Sequence, residues 1–297
     1  LLATAALAVP LLLALDDEAA RRRYLPGLCD GSLTAAVVTA DSAGRSLPAG
    51  DHVEVAERNG QVRLHGAAGY VIDGASADLI LVPAGIGTGL GVFAVPAGAD
   101  GLTVTPLVTL DPTRKQARLT FAGVAATRIG TADAGQAIGR ALDVARALLS
   151  AEQAGGAGRC LDMTVEYAKS RIQFGRPIGS FQAVKQKLAD MLIRVESARS
   201  AATAATQAAA AAQSGDGPAS TDLADVPELA VSAAVAKAYC SEAYLAVAAE
   251  TIQLHGGIGF TWEHDAHLYF KRAWTSAELL GRPAEHLESI ARHLAAL

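Results

Sequence analysis

The spacing of apolar and polar positions changes character twice along the chain. Residues 1–15 are almost wholly apolar, and the strip Asp16-Asp-Glu-Ala-Ala-Arg-Arg-Arg23 follows, acids before bases in ordinary helix polarity. From about Ser32 to Gly130, short β-branched runs recur between turn residues: Ala35–Thr39, His52–Glu57, Gln61–Leu64, Tyr70–Ile72, Leu79–Val82, Val92–Val95, Leu102–Leu107 and Ala117–Phe121. Short runs at this spacing predict an antiparallel β barrel or sandwich. After Thr131 the apolar period becomes helical, over 132–174, 180–213, Pro227 to His255, and two shorter stretches near 262–279 and 283–296. The segment 214–221, Ser-Gly-Asp-Gly-Pro-Ala-Ser-Thr, is a loop by composition. Long striped helices with short connections predict an antiparallel helical bundle, so the chain as a whole is expected to be α+β. Its expected divisions are 1–31, 32–130 and 131–297.

At 297 residues there is enough chain for two substantial cores, and 51% hydrophobic with only 5% aromatic residues favours closely packed alanine-rich helices. A net charge of −5 with no concentrated basic face argues against nucleic acid as a partner. Cys29, Cys160 and Cys240 lack metal-ligand spacing and read as reduced core thiols of a cytoplasmic protein. The apolar opening imitates a leader's core but carries no basic flank. Fifteen residues are too few to span a bilayer, so no membrane association is expected. Because the chain begins with Leu, residues are expected to be missing upstream. The run Gly85-Ile-Gly-Thr-Gly-Leu-Gly91 lies between strands, leads into no helix, and reads as a flexible strand connection, not a phosphate loop.

Two glycine-punctuated helix ends carry the chemistry: Tyr-Ala-Lys-Ser-Arg-Ile-Gln-Phe-Gly-Arg-Pro-Ile (167–178) and Gln-Leu-His-Gly-Gly-Ile-Gly-Phe-Thr-Trp-Glu (253–263). In the first, Gly175 suits a helix-stopping left-handed residue and Pro177 prevents continuation, which puts Arg171 and Phe174 in the last turn. A guanidinium there can pair with a pyrophosphate, and a neighbouring aromatic can cover an apolar ring edge. The bland alternative is a basic last turn satisfying its own carbonyls, with Phe174 in the core. In the second, Gly256 and Gly257 leave backbone open to a ligand, or simply stop a helix. His264 and His267 beside Glu263 and Asp265 have a spacing metals sometimes use, but two histidines on a charged face read as solvated, and no metal site is expected.

Taken together, the two motifs resemble the flavin-contacting signature of the acyl-CoA dehydrogenase family. The resemblance extends to Tyr24-Leu-Pro26, to Val38-Thr39-Ala-Asp-Ser-Ala-Gly44 and to Tyr70-Val-Ile72-Asp-Gly74. It implies that 1–31 ends an N-terminal helical domain, with an acid-opened helix closed by Tyr-Leu-Pro, that 32–130 is the middle β domain, and that 131–297 is the C-terminal bundle. It also implies FAD as cofactor. Arg171, Gln173, Phe174, Gln182, Gln253, Gly256 and Gly257 would approach the FAD of a neighbouring subunit, and Thr39 would lie on the flavin side. Arg45 stands where that family's serine is expected, and Ile72 falls on its flavin-bonding hydroxyl position, where it can neither donate nor accept.

The family's reaction requires a carboxylate within reach of the proton α to a thioester. Counting from the motifs places the two family base positions at Leu280 and Ala145, and neither can take a proton. Glu278 and Asp143 each lie two residues away, which on a helix is nearly the opposite face. The chain thus resembles the base-lacking subunit of heteromeric α2β2 acyl-CoA dehydrogenases. That likeness implies a related partner carrying the glutamate, an acyl-CoA substrate of the steroid side-chain class, and an electron-transfer flavoprotein as acceptor. A self-sufficient homomer using Glu278, and a non-enzymatic scaffold on the same fold, stay open as alternatives.

Overall fold

The computed structural model describes residues 1–46, 53–87, 89–130, 133–214 and 228–295. Two compact units divide within one long helix, Leu1–Ala145 and Arg146–Leu297.

In the first unit, a π-helical stretch Leu2–Ala8 runs into helix α1 (Val9–Ala14), and Leu2, Leu7, Leu11 and Leu12 are buried. Thr4 fastens this stretch by donating its hydroxyl to the Ala35 carbonyl (3.1 Å). Helix α2 spans Glu18–Asp30. Asp17 caps it, accepting from Ala20 N (2.8 Å), and its second oxygen accepts from Gly130 N (2.9 Å). Those amide bonds, Gly130 first, hold its carboxyl below the usual carboxylate range. The acidic opening is as expected, but Tyr-Leu-Pro does not close the helix: Pro26 sits inside it, and Gly31 (φ +80) is the stop. Cys29 is exposed, so only Cys160 and Cys240 are core thiols.

Among the described residues seven strands follow: β1 (Ala35–Val37), β2 (Val53–Arg58), β3 (Gln61–Ile72), β4 (Leu79–Ile86), β5 (Gly89–Pro96), β6 (Leu102–Pro106) and β7 (Gln116–Ile129). They pair in the order β1-β4-β5-β7-β3-β2, with β6 also on β7. All pairs are antiparallel except β1 with β4, which is parallel. The sheet is therefore mixed, not wholly antiparallel as expected. It folds over itself, β2 against β4 and β1 against β3, around one core of Val38, Leu64, Val71, Ile80, Phe93, Leu119 and Phe121. Two expected runs, 61–64 and 70–72, are one strand. The Gly/Ala-rich stretch between them resembles a break, but pairing with β7 carries it through two register shifts. Gly85, Gly89 and Gly91 of the expected connection likewise belong to the β4–β5 hairpin, with Ile86 opposite Gly89.

The second unit follows the helical reading closely: α3 (Gly135–Ser170), whose start belongs to the first unit, α4 (Gln182–Ser214), α5 (Glu228–His255), α6 (Ala266–Glu278) and α7 (Pro283–Leu294). Cys160, Met191, Val195, Tyr244, Val247 and Ala273 form its core. Apart from Ser214, the expected loop 214–221 lies outside the described residues, as do the expected element starts at His52 and Pro227. No described helix is long and apolar enough to cross a membrane.

Candidate functional site

Helix α3 ends at Ser170, and a tight hairpin replaces the expected extra helical turn. Strand β8 (Ile172–Gln173) pairs with β9 (Arg176–Pro177), Gln173 opposite Arg176, which leaves Phe174 and Gly175 at the tip. Both have positive φ, +53 and +75, as a two-residue type I′ hairpin turn demands. Gly175 supplies the left-handed backbone foreseen for it, but at a hairpin tip and not at a helix stop. Arg171 therefore follows the helix, and Phe174 is outside it. Phe174 is 91% exposed, contrary to the core alternative. Its ring meets Phe181 edge-on (6.1 Å), and the Arg176 guanidinium lies over Phe181 (4.1 Å). Arg171, Gln173 and Gln182 are exposed nearby along the chain.

Helix α5 stops at His255, where Gly256 turns left-handed (φ +64) into the 3-10 turn Gly256–Phe260. No atom lies within 4 Å of where a side chain would begin at Gly256 or Gly257, and Gln253 is exposed. His255 is buried. Its Nδ1 donates to the Thr251 carbonyl (2.7 Å), while its ring stacks on Tyr167 (4.4 Å) and lies tilted against His264 (4.5 Å). Burial, more than the repulsion from His264, lowers its pKa. This stack joins the ends of α3 and α5, so the two motifs leave the bundle side by side. Neither histidine expected to be solvated is simply so: His267 is buried against Trp262 (4.5 Å), and His264 belongs to the stack.

The two positions counted from the motifs as base positions are apolar and closed. Ala145 is wholly buried in α3. Leu280, 5% exposed, lies in the α6–α7 turn with φ +59, a conformation that costs a non-glycine residue roughly 1–3 kcal/mol. The next residue, Gly281 (φ +103), leaves room for His286, whose Nε2 is 2.7 Å from where a Cβ would stand. Glu278 pairs at the surface with Arg282 (2.7 Å). Beneath the turn lie two cations that the sequence motifs do not mark: Lys237, 0% exposed, and Arg146, whose Nε donates to the Leu280 carbonyl (3.0 Å). The available signal was a lone lysine within the apolar run Ala-Ala-Val-Ala-Lys-Ala of α5. Burial, then Arg146, pulls the Lys237 pKa down to about 7. His286 falls to about 4, by burial first and then by Arg146 and Lys237.

In the β unit, Thr39 is buried just past β1. The following turn satisfies itself: the Asp41 carboxylate accepts from Ala43 N (2.8 Å) and Arg45 N (2.9 Å) and pairs with the Arg45 guanidinium (2.6 Å). The Arg45 amide is the chief cause of its lowered pKa. Tyr70, itself at φ +53, lays its ring against Gly44, 3.1 Å from where a Cβ would stand. Ile72 is buried in the β core.

The family profile described as acyl-CoA dehydrogenase, C-terminal domain, matches residues 134–295, more than half of the chain. The chain belongs to the acyl-CoA dehydrogenase family. It is 46% identical over 191 residues to acyl-CoA dehydrogenase IpdE2 of Mycolicibacterium smegmatis, covering 64% of this chain and 53% of that one. The chain thus spans about half the length of such relatives. Among solved structures, the ChsE4-ChsE5 complex from Mycobacterium tuberculosis superposes with a TM-score of 0.84 at 32% identity, covering 99% of this chain and 75% of that one. A Tcur3481-Tcur3483 steroid ACAD variant gives 0.80 at 32% identity, covering 97% and 75%.

The family is FAD-dependent. The α3 and α5 ends fit that group: an exposed guanidinium, an aromatic held outward at a hairpin tip, and uncovered backbone at two glycines are chemically suited to a dinucleotide approaching from outside. The β-unit segments do not fit a flavin ring. Ile72 offers no hydrogen bond, and the amides of Ala43 and Arg45 are already taken by Asp41.

Proposed function

We propose that this chain is a subunit of a FAD-dependent acyl-CoA dehydrogenase that completes the FAD site of a related, glutamate-bearing partner and does not itself abstract the proton. The observation that carries this reading is the apolar filling of both base positions, Leu280 and Ala145, with Glu278 turned to Arg282. Dehydrogenation moves the α proton to a carboxylate and the β hydride to an acceptor, leaving a C=C bond conjugated with the thioester. FAD, when bound, supplies the hydride acceptor. Arg171 would pair with its pyrophosphate, Phe174 would cover a ring edge, and Gln253, Gly256 and Gly257 would border its adenosine half. Gln173 and Gln182 add polar contacts. Thr39, buried in the β unit, is left out of this set.

In this reading the assembly is a cytoplasmic α2β2, and an electron-transfer flavoprotein reoxidises it. A steroid side-chain acyl-CoA as substrate is supported by the likeness to a steroid ACAD. Residues 1–31, 32–130 and 131–297 correspond to the end of a helical domain, a β domain and the C-terminal bundle. The test is the visible spectrum and native mass of the chain, purified alone and then with a co-expressed related subunit. We expect a colourless chain alone and a yellow, active α2β2 complex with the partner. A yellow homotetramer that oxidises an acyl-CoA unaided would overturn the proposal.

A further inference from the structure

The α6–α7 turn is held from below. The Lys237 ammonium has three N–H donors and uses all three, on Ser241 Oγ (3.0 Å), the Ala277 carbonyl (3.2 Å) and the Gly281 carbonyl (3.1 Å). Ser241 is itself fixed, donating to the Lys237 carbonyl (2.6 Å) and accepting from Gln153 Nε2 (3.0 Å). From α3, Arg146 Nε takes the Leu280 carbonyl (3.0 Å). Two cationic side chains on two helices therefore grip three carbonyls of one turn. Helix ends ordinarily satisfy such carbonyls with water or a glycine motif, neither of which requires a desolvated amine. Among the described residues every hydrogen-bond partner of Lys237 Nζ is a neutral oxygen, and the attraction of Glu278 and Glu285 offsets its burial only in part. A leucine gains nothing from the left-handed backbone imposed on it at 280.

We propose that Lys237 and Arg146 are positioning residues that hold the backbone at 279–281, and hence the side chain at 280, in one fixed place, so that this chain keeps a base-presenting frame from which only the acid is missing. The inference rests on the reading of 280 as a base position of the family. It adds that what separates this turn from a base-bearing one is a single side chain, not its backbone.

The experiment is amide hydrogen exchange on the full chain in the co-expressed complex. In Lys237→Met, protection at 279–282 should fall about tenfold or more, the expected loss of the Nζ hydrogen bonds to the Ala277 and Gly281 carbonyls, while amides of the α4 and α5 core keep theirs. Uniform loss through the bundle would reduce Lys237 to a general stabiliser, and unchanged protection at 279–282 would also overturn the proposal. Should Lys237→Met not fold, Arg146→Lys keeps the charge but withdraws the Nε bond. It should loosen 280–282 locally, and no local change there would be decisive against the frame.

A pH series adds a readout that a lysine not engaged with the turn would not move. Opening the turn to water returns the Lys237 amine toward its ordinary pKa of 10.5, so above about 7 the opened state takes up a proton that the closed state lacks. Intrinsically corrected protection at 279–282 should therefore rise with pH above about 7 in the wild type, and not in Lys237→Met. A flat wild-type series would mean that the turn opens without the lysine, which would sink the frame. The groups facing this lysine are Arg146 from α3, Cys240 from α5, Glu278 from α6, and Glu285 and His286 from α7. Flavin retention reports on the shared-site reading and exchange on the frame, so either can fail without the other.

Discussion

The ends of α3 and α5 and the matching segments of the β unit treat their polar groups in opposite ways. At the helix ends Arg171, Gln173 and Gln253 are exposed, Phe174 is held outward by a strained hairpin tip, and Gly256 and Gly257 are uncovered. In the β unit, Asp41 consumes the turn's amides, Tyr70 covers Gly44 and Ile72 joins the core. Phe174 and Tyr70 share a positive φ, but the Phe174 ring is 91% exposed at its hairpin tip while the Tyr70 ring lies against Gly44, so the first is the one left open to another molecule. The contrast supports one direction for the proposed sharing: the helix ends suit a cofactor site outside this chain, and the β unit is poorly equipped to hold a flavin ring.

The sharpest way to break that contrast is to cut one residue from each side. Arg171→Ala in the co-expressed complex should lower flavin retention by about tenfold to a hundredfold, the range for losing charge-assisted bonds to a phosphate. Thr39→Ala should leave it unchanged. Equal effects would erase the distinction, and no effect of Arg171→Ala would favour a non-enzymatic scaffold. Gly257→Val is expected to act next most strongly. A Cβ there meets nothing within 4 Å in this chain, so stability should stay within about 0.5 kcal/mol of wild type. Flavin retention should still fall severalfold, because a branched side chain blocks close approach. A large stability loss with intact flavin would mean that the open backbone serves the fold alone.

A smaller effect separates the buried turn from the open helix ends. Lys237 titrates near 7 when folded and near its ordinary 10.5 when unfolded. Between those values the unfolded chain binds more protons, so stability should rise with pH across that window. His286, lowered to about 4, gives the same sign at acid pH: stability should fall as pH drops from about 6.5 toward 4. Denaturant titrations at several pH values should show both slopes. Lys237→Met should remove the alkaline one and His286→Asn part of the acid one, with His255 and His267, also lowered chiefly by burial, contributing the remainder. A flat profile in the wild type would mean that these groups are not desolvated as the turn requires.

Much of this architecture was legible because long helices repeat one signal many times. The apolar period from 132 onward located α3 to α7 to within a few residues, and both glycine motifs fell at true helix ends. Shorter-range features were less legible. Gly175 with Pro177 suits a helix stop and a hairpin tip equally, and only the pairing of Gln173 with Arg176 decides between them. The parallel β1–β4 pair and the fusion of two runs into β3 depend on strands distant in sequence. The frame beneath Leu280 draws on α3, α5 and the α6–α7 turn, and no local pattern announces such a convergence. The apolar residues at the expected base positions could be counted from the motifs, but the grip on the turn's carbonyls could not.

The smallest expected effect bears on Glu278, an acid at the edge of the turn. Glu278 forms an exposed i,i+4 pair with Arg282, so Glu278→Gln should cost no more than about 0.5 kcal/mol and leave turnover of the complex unchanged. A marked loss of kcat would make Glu278 the displaced base and restore the self-sufficient reading. The converse substitution, Leu280→Glu, places an acid on the frame but leaves Ile72 and the self-satisfied turn at Asp41 as they are. It should produce no turnover by the chain alone, because a base without a bound hydride acceptor has nothing to drive. Robust activity from that single change would show that the β unit holds a flavin ring after all, and the contrast between the two regions would collapse to one missing carboxylate.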